Sequence, residues 1–167
     1  PPPAAPASPP YLFSAGMSCR DYATLFEAAR RLPPGFPFIR IACKPADVQN
    51  SVPPPNVLLQ HDLWGEPFRE TLARASLVVV PLRPIPISAG QTVFLTAMSA
   101  ARPIVATRTS ASSEFLDDAC AWLVPPRDAP ALAQAIQTAL ASPAAARAKA
   151  AAALALFEER HAPAAVF

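Results

Sequence analysis

Glycine and charged residues are both scarce in this chain. The sequence of 167 residues contains 4 Gly but 23 Pro. Because glycine normally supplies the positive-φ positions of turns, the loops have to be built largely from proline and polar residues. Charged residues make up only 16% of the chain, and the formal net charge is +2. The net charge is small and the arginines are scattered, so the chain lacks the clustered basic surface of a nucleic-acid-binding protein. We therefore expect no nucleic-acid partner.

Long apolar runs and regular cysteine spacings are also missing. The longest aliphatic run, residues 77–80, is far short of the roughly 20 residues of a membrane-spanning helix, so we expect no integral membrane segment. Residues 1–10 have neither the basic start nor the apolar block of a signal peptide. Cys19, Cys43 and Cys120 show no metal-ligand spacing, and the last two lie in or beside apolar runs, which predicts buried free thiols. Free thiols fit a reducing compartment, so we expect a cytoplasmic protein, at most peripheral to a membrane.

The length predicts one domain, and the pattern along the chain predicts its class. Residues 1–10 are interpreted as a Pro/Ala-rich linker or domain edge, and residues 11–167 as the domain itself. The predicted strands are 11–15, 36–43, 56–59, 76–81, 103–106 and 121–124. The predicted helices are 22–32, with Ser18 and Asp21 as its capping signal, then 67–75, 92–101, 129–140 and 143–160. This alternation predicts an α/β, Rossmann-like domain with a mostly parallel sheet and helices on both faces.

In open sheets of this kind, ligands bind in the crevice beyond the carboxyl ends of the strands. The candidate functional residues therefore follow the predicted strands, at 16–20, 44, 61–64, 83–92 and 107–113. The loop before Thr92 aims backbone N–H groups and a helix N-terminus at one point, a geometry that suits a diphosphate. In this interpretation Gly90 leaves room for the ligand, and the Gln91 and Thr92 side chains add donors. The alternative is that these three residues are only a helix entry.

Residues 81–107, PLRPIPISAGQTVFLTAMSAARPIVAT, carry a resemblance to a known family. They resemble the donor-binding segment of the retaining GT-B glycosyltransferases of the group-1 family, whose usual form is E-G-F-G-L-x-x-L-E-A-M-A-x-G-x-P-V-V-A-T. The matching positions are Leu95, Ala97, Met98, Pro103, Val105, Ala106 and Thr107. Four further stretches resemble family motifs in the same order: residues 16–25, 56–59, 123–136 and 157–161. The resemblance implies the C-terminal, donor-binding half of such an enzyme.

The resemblance also implies roles for individual residues. Arg20, Gly90, Gln91 and Thr92 would bind the diphosphate of a nucleotide-sugar, although Arg20 could instead be a solvated charge at a helix start. The two family glutamates, one near the sugar and one on the ribose, are replaced by Ser88 and Thr96, and the Arg after the first glycine is replaced by Met17. A carboxylate makes charge-assisted hydrogen bonds to ribose that a single hydroxyl cannot match. The resemblance implies no cofactor, because the nucleotide-sugar is the substrate, and no required metal.

Other polar residues near strand ends have open interpretations. His61, Asp62 and Leu63 correspond to the loop that holds the base in relatives, while Trp64 either stacks on the base or only packs against the next helix. Lys44 and Arg83 are candidate cations of the cleft. We interpret His161 as solvated, and the pair at 117–118 as loop charges rather than metal ligands.

Three functions remain open at this point. The first is the donor-binding half of a sugar transferase, whose acceptor-binding N-terminal domain is missing from the chain. Because no convincing nucleophile or base is present, this half alone is expected to be inactive in transfer. The second is a binding or interaction module that keeps the fold without catalysis, which the lost glutamates favour. The third, an unrelated doubly wound domain such as a receiver, would need an acidic cluster after its first strand, where Ser14-Ala15-Gly16 has none.

Overall fold

The computed structural model describes residues 3–17 and 19–161. Within these residues the strands are β1 (Tyr11–Ala15), β2 (Phe38–Ala42), β3 (Val57–Gln60), β4 (Leu77–Val80), β5 (Ile104–Thr107) and β6 (Trp122–Val124). The helices are α1 (Tyr22–Arg30), α2 (Gly65–Ala73), α3 (Gln91–Ser99), α4 (Ser110–Ser113), α5 (Ala129–Ala141) and α6 (Pro143–Arg160). The predicted strands and long helices are therefore all present, with ends shifted by a few residues.

The six strands form one sheet in the order β3-β2-β1-β4-β5-β6. Every pairing in it is parallel, so the prediction of a mostly parallel Rossmann-like sheet is confirmed. The strand order changes direction between β1 and β4. The loops after these two strands leave the sheet toward opposite sides, and this opens a crevice at the carboxyl edge.

Two apolar clusters, one on each face of the sheet, make up the core. Alternate residues of a strand contribute to opposite faces: Phe13 and Val78 lie in one cluster, while Leu12 and Val79 lie in the other. Helices α2, α3 and α6 pack on the first face, and α1 and α5 on the second. Burial of β4 on both faces explains its unbroken aliphatic sequence.

The ends of the helices follow local side-chain chemistry, and two of the predicted starts are corrected. Asp21 itself caps α1, its carboxylate accepting the N–H of Thr24 at 3.1 Å. The predicted partner Ser18 lies outside the described residues. Helix α2 begins at Gly65, two residues before its prediction, because Pro67 is tolerated in the first turn, where no N–H donor is needed. The short helix α4 was not among the predicted helices; Thr109 starts it by accepting the N–H of Ser112.

Other predictions for the body of the domain have mixed outcomes. Cys43 and Cys120 are buried free cysteines, as predicted. Residues 3–10 contain no helix or strand, and the N–H of Ala7 donates to the Arg74 carbonyl at 2.9 Å. The boundary between a linker and the domain near residue 10 stays a prediction. In the described part of the chain, no helix is both long and apolar enough to cross a membrane.

Candidate functional site

A cleft of about 560 Å³ opens at the carboxyl edge of the sheet, where the strand order changes direction. Its walls are the loop after β1, the end of β2, the start of α2, and the loop and first turn of α3; we call it the α3 cleft. Its lining residues are Gly16, Met17, Arg20, Ala42, Trp64, Gly65, Phe68, Arg69, Ser88, Ala89, Gly90, Gln91, Thr92, Val93 and Thr96. The cleft thus brings together the six residues predicted for the diphosphate, ribose and sugar. Arginines line it and, among the described residues, no carboxylate does.

The N-terminus of α3 presents backbone donors to this cleft. Gly90 is the N-cap and has no side chain to cap the helix, and the first intrahelical bond runs from the N–H of Phe94 to the Gly90 carbonyl at 2.9 Å. The N–H groups of residues 91–93 therefore precede the first helical hydrogen bond. Together with the positive end of the helix dipole, these groups form a place where an anion is stabilised.

Gly90 has a structural role in addition to the predicted one. Its φ of +88° lies in the left-handed region. A Cβ built on Gly90 would stand 2.8 Å from the ring of Phe94, a fully buried core residue. The missing side chain therefore makes room for the core under the helix. That Gly90 also leaves room for a ligand stays a prediction.

The guanidinium of Arg20 forms the opposite wall. Its Nε donates to the carbonyl of Ala15 at 2.7 Å, at the end of β1, and the residue is only 7% exposed. Burial lowers the pKa of Arg20 below its ordinary value, while Tyr22, Cys19 and Asp47 oppose that shift. The alternative interpretation of Arg20 as a solvated charge is therefore wrong: the side chain is buried beside the cleft.

Hydrogen bonds between two loops fix the position of Arg20. The N–H of Asp21 donates to Pro81 at 3.1 Å, and the N–H of Arg83 donates to Cys19 at 2.9 Å. Leu82 is anchored in turn through its N–H to the hydroxyl of Thr107 at 2.9 Å. The loops after β1 and β4 are thus joined before any ligand binds, so the two walls of the cleft are preorganised.

Thr96 and Ser88 both line the α3 cleft, at the positions where the resemblance places glutamates. The hydroxyl of Thr96 donates to the Thr92 carbonyl, one turn earlier, at 2.6 Å. Its proton is therefore used inside the helix, and the oxygen can only accept a hydrogen bond from a ligand. Ser88 is exposed on the loop before α3.

The predicted base-side loop is corrected, because none of its three residues lines the cleft. The Nδ1 of His61 lies 2.8 Å from the carbonyl of Cys43; because a carbonyl only accepts, this nitrogen carries the proton. Asp62 is exposed, and Leu63 packs against the core. The residues that directly follow this loop line the cleft instead.

Four residues at the start of α2 supply this wall: Trp64, Gly65, Phe68 and Arg69. Trp64 is 50% exposed and lies outside the core clusters, so the interpretation of Trp64 as packed against the helix is not supported. Phe68 contacts Phe13 edge-to-face, with ring centroids 5.6 Å apart. Arg69 pairs with Glu66. No sequence signal marked Phe68 and Arg69 as cleft residues, because they fit the pattern of an ordinary amphipathic helix. Their place in the cleft wall depends on where α2 begins.

The two further candidate cations lie outside the α3 cleft. Lys44 is exposed beside a 3-10 turn at Pro45–Asp47, and its N–H donates to the carboxylate of Asp47 at 2.7 Å. Arg83 is exposed and lines a neighbouring polar cavity of about 320 Å³, which Arg20 also lines. Arg83 is therefore adjacent to the cleft but not part of it.

Three remaining polar residues have local partners. Asp117 accepts the N–H groups of Ala119 and Cys120, and Asp118 pairs with Arg108 at 2.6 Å. In the described ranges, no group of three metal-ligating side chains is found. The prediction that His161 is solvated is wrong, because its ring lies 5.5 Å from that of Phe115 and its Nε2 is buried.

The fold is an open α/β domain, and a cleft lined by arginines and the N-terminus of α3 lies at the switch point of its sheet. The family model described as "Glycosyl transferases group 1" matches residues 41–142, and the chain belongs to this family. No curated protein sequence gives a significant match.

Solved structures with the same fold include GT-B glycosyltransferases. HepE from Anabaena, solved with UDP-glucose, is 16% identical with a TM-score of 0.75; the match covers 90% of this chain and 44% of HepE. Sucrose-phosphate synthase from Thermosynechococcus elongatus is 23% identical with a TM-score of 0.73, covering 92% of this chain and 42% of the synthase. The chain thus spans less than half the length of these two proteins.

A third similar structure is an isolated domain. The C-terminal domain of the group 1 family protein LpcC from Francisella tularensis is 14% identical with a TM-score of 0.71. That match covers 90% of this chain and 85% of the domain. The chain therefore corresponds in fold to the C-terminal half of a GT-B protein.

Proposed function

We propose that this chain is the donor-binding half of a retaining glycosyltransferase and that the α3 cleft binds a nucleoside-diphosphate sugar. The observation that carries the proposal is the juxtaposition of Arg20 with the N-terminus of α3 across one cleft. Both groups stabilise negative charge, one by a guanidinium and the other by backbone N–H groups and the helix dipole. The absence of a carboxylate from the described lining residues fits the same ligand.

The remaining lining residues suggest how the ligand lies. Thr96 is one turn into α3 and accepts a hydrogen bond from a ribose hydroxyl. Trp64 and Phe68 offer apolar surface to the base, and Ser88 lies at the sugar end. A uridine nucleotide is the first to test, because HepE was solved with UDP-glucose.

In sugar transfer, the diphosphate leaves with additional negative charge. Arg20 and the N–H groups of residues 91–93 would stabilise that charge from fixed positions. Because these groups need not reorganise during the reaction, they would lower its activation barrier. The acceptor and a catalytic group would come from an N-terminal domain, so we propose such a domain as partner. The proposal includes no metal, and places the enzyme in the cytoplasm or at a membrane surface.

A second function is favoured by a specific observation. Thr96 uses its proton within α3, and Met17, at the position of a family arginine, is 42% exposed beside the cleft. Both changes weaken recognition of a nucleotide. They favour a module that retains the fold and binds a partner without transferring sugar.

Calorimetric titration of the 167-residue chain with UDP, GDP and ADP separates the two functions. The donor-binding function predicts that one nucleotide binds with a micromolar to low-millimolar Kd. Arg20→Gln should weaken that binding about tenfold or more, because a hydrogen-bonded charge is lost. The control Arg31→Gln removes an exposed arginine outside the cleft and should leave affinity unchanged. No binding of any nucleotide to the folded chain would favour the second function.

A further inference from the structure

A second groove lies at the amino edge of the sheet, on the other side of the domain from the α3 cleft. Ser76 and Pro103, which directly precede β4 and β5, form its base. Its volume is about 630 Å³. One stripe of α6 at helical spacing lines it: Pro143, Ala146, Arg147, Ala150, Ala151 and Leu154. Because most of these side chains are small, the groove stays open along the helix; we call it the α6 groove.

The guanidinium of Arg102 forms the polar part of this groove. Arg102 is only 8% exposed. Its Nε donates to the Ala100 carbonyl at 3.2 Å and its Nη1 to the Ala75 carbonyl at 3.4 Å, both longer than the usual 2.9–3.0 Å. A guanidinium has five N–H donors, so these two bonds leave others for a further partner.

No carboxylate of the described residues pairs with Arg102. Burial alone lowers its pKa. Part of its role is local, since it follows α3 and its Nε donates to the Ala100 carbonyl at that helix end, where positive charge is favourable. Its second acceptor, the Ala75 carbonyl, lies between α2 and β4. These two hydrogen bonds to backbone carbonyls position the guanidinium, but they supply no counter-charge. A buried cation without an anion is costly, and an anionic ligand would remove that cost.

The charged residues that line the groove are both arginines, and most of its other lining residues are apolar. Arg147 is exposed at its side, and no acidic residue of the described chain lines it. Pro3, Pro6 and Leu140 add apolar surface. A ligand that matches both features has an anionic head and an apolar body.

We propose that the α6 groove binds a free long-chain carboxylate, whose head group pairs with Arg102 and whose chain lies along the α6 stripe. The planar fork of the guanidinium fits a carboxylate with two parallel hydrogen bonds. A single amphiphile fits better than a lipid bilayer. The exposed large hydrophobic residues of the described chain, Met17, Phe38, Val52, Leu58, Trp64 and Ile87, do not line this groove, so it has no side chains to insert.

The proposal does not depend on the glycosyltransferase function. The two sites lie at opposite ends of the parallel strands and share no lining residue. We therefore expect that a carboxylate bound in the α6 groove does not compete directly with nucleotides for the α3 cleft.

Calorimetric titration of the 167-residue chain with dodecanoate, below its micelle concentration, tests the proposal. We expect a micromolar Kd for dodecanoate and a Kd at least about tenfold higher for its uncharged methyl ester, because the charge-assisted bonds to Arg102 are lost. Ala151→Trp places a large ring in the groove and should abolish binding. Ala145→Trp, which adds the same ring at an exposed position of α6 outside the groove, should not change it.

Arg102→Gln should weaken dodecanoate binding to the level of the ester. If that variant does not fold, the ester and the two tryptophan variants decide the question. Equal affinity for acid and ester, unchanged binding to Ala151→Trp, or no binding of dodecanoate would each overturn the proposal.

Discussion

The guanidinium of Arg20 lies directly against the backbone of Gly16. A Cβ on Gly16 would stand 2.2 Å from Nη2 and 2.5 Å from Cζ of Arg20. The glycine also has a φ of +118°, in a region that side-chain-bearing residues rarely adopt. The turn after β1 therefore determines where the cation of the cleft lies.

Replacing Gly16 with alanine should displace Arg20 and weaken nucleotide binding. The added methyl group cannot fit while the guanidinium stays in place, and the positive φ adds backbone strain of about 1–3 kcal/mol. We expect a lower midpoint of thermal unfolding together with an affinity loss of about tenfold, measured by calorimetry on the folded variant.

Gly35→Ala is the matched control for this variant. Gly35 also has a positive φ, +85°, but a Cβ there meets no atom within 4 Å. It should lower stability by a similar strain and leave nucleotide affinity unchanged. Equal affinity of the Gly16→Ala and Gly35→Ala variants would mean that Arg20 does not contact the ligand.

A glutamate at position 96 should strengthen nucleotide binding. Thr96 lines the α3 cleft, and a carboxylate there can accept two ribose hydroxyl protons in charge-assisted bonds, which are roughly twice as strong as neutral ones. Thr96→Glu is expected to lower the Kd of the preferred nucleotide about three- to tenfold.

Ser99→Glu provides the comparison, because Ser99 is exposed on the same helix and does not line the cleft. It should leave the Kd unchanged. A weaker complex with Thr96→Glu, measured beside an unchanged Ser99→Glu complex, would place the ribose elsewhere in the cleft.

Ala101→Gly should stabilise the domain. Ala101 has a φ of +50°, its N–H donates to Met98, and the next N–H, of Arg102, donates to Ala97. These two bonds form a Schellman motif, whose left-handed position favours glycine. Relief of the left-handed strain should raise the free energy of unfolding by about 1 kcal/mol, measured by urea denaturation. A decrease would show that the flexibility of glycine in the unfolded chain outweighs the strain.

Stability should fall at alkaline pH. Burial raises the pKa of the Cys43 thiol from its ordinary value of 9.0 to about 11, with a smaller contribution from Asp47. The folded state therefore holds the proton more tightly than the unfolded chain. The resulting stabilisation is complete below pH 9 and is lost as the pH rises through 11.

Urea denaturation between pH 8 and 11 measures this loss. Cys43→Ala lowers stability at pH 8 through the lost packing, and it should give a shallower decline above pH 9 than the unchanged chain. An identical decline in both would assign the alkaline loss to other buried groups, such as Tyr22, whose pKa burial also raises.

Periodic apolar patterns predicted the sheet and most of its helices because each pattern depends on burial of a whole element. The aliphatic run at residues 77–80 is one example, and it is buried on both faces. The diphosphate part of the site was also predictable, since parallel strands bring the loops after β1 and β4 to one edge. The wall at Trp64 and Phe68 was predicted only in part: Trp64 was one candidate for stacking on the base, but His61 was expected at the cleft and does not line it. Its position depends on the ring of His61 bonding to Cys43, a contact between strands that spacing along the chain does not encode.

The burial of Arg102 could not be predicted for the same reason. In the sequence it is one arginine beside a proline, and only the folded chain brings it next to the Ala75 carbonyl and the groove beside α6.

The most direct test of the central claim is the amide spectrum of the isotope-labelled chain during titration with UDP. We predict that the N–H signals of Gln91, Thr92 and Val93 shift most, together with that of Gly16 and the side chain of Arg20. Signals from the α6 groove should remain unchanged. Saturable shifts confined to residues outside the α3 cleft would contradict the account, as would the absence of shifts at millimolar UDP.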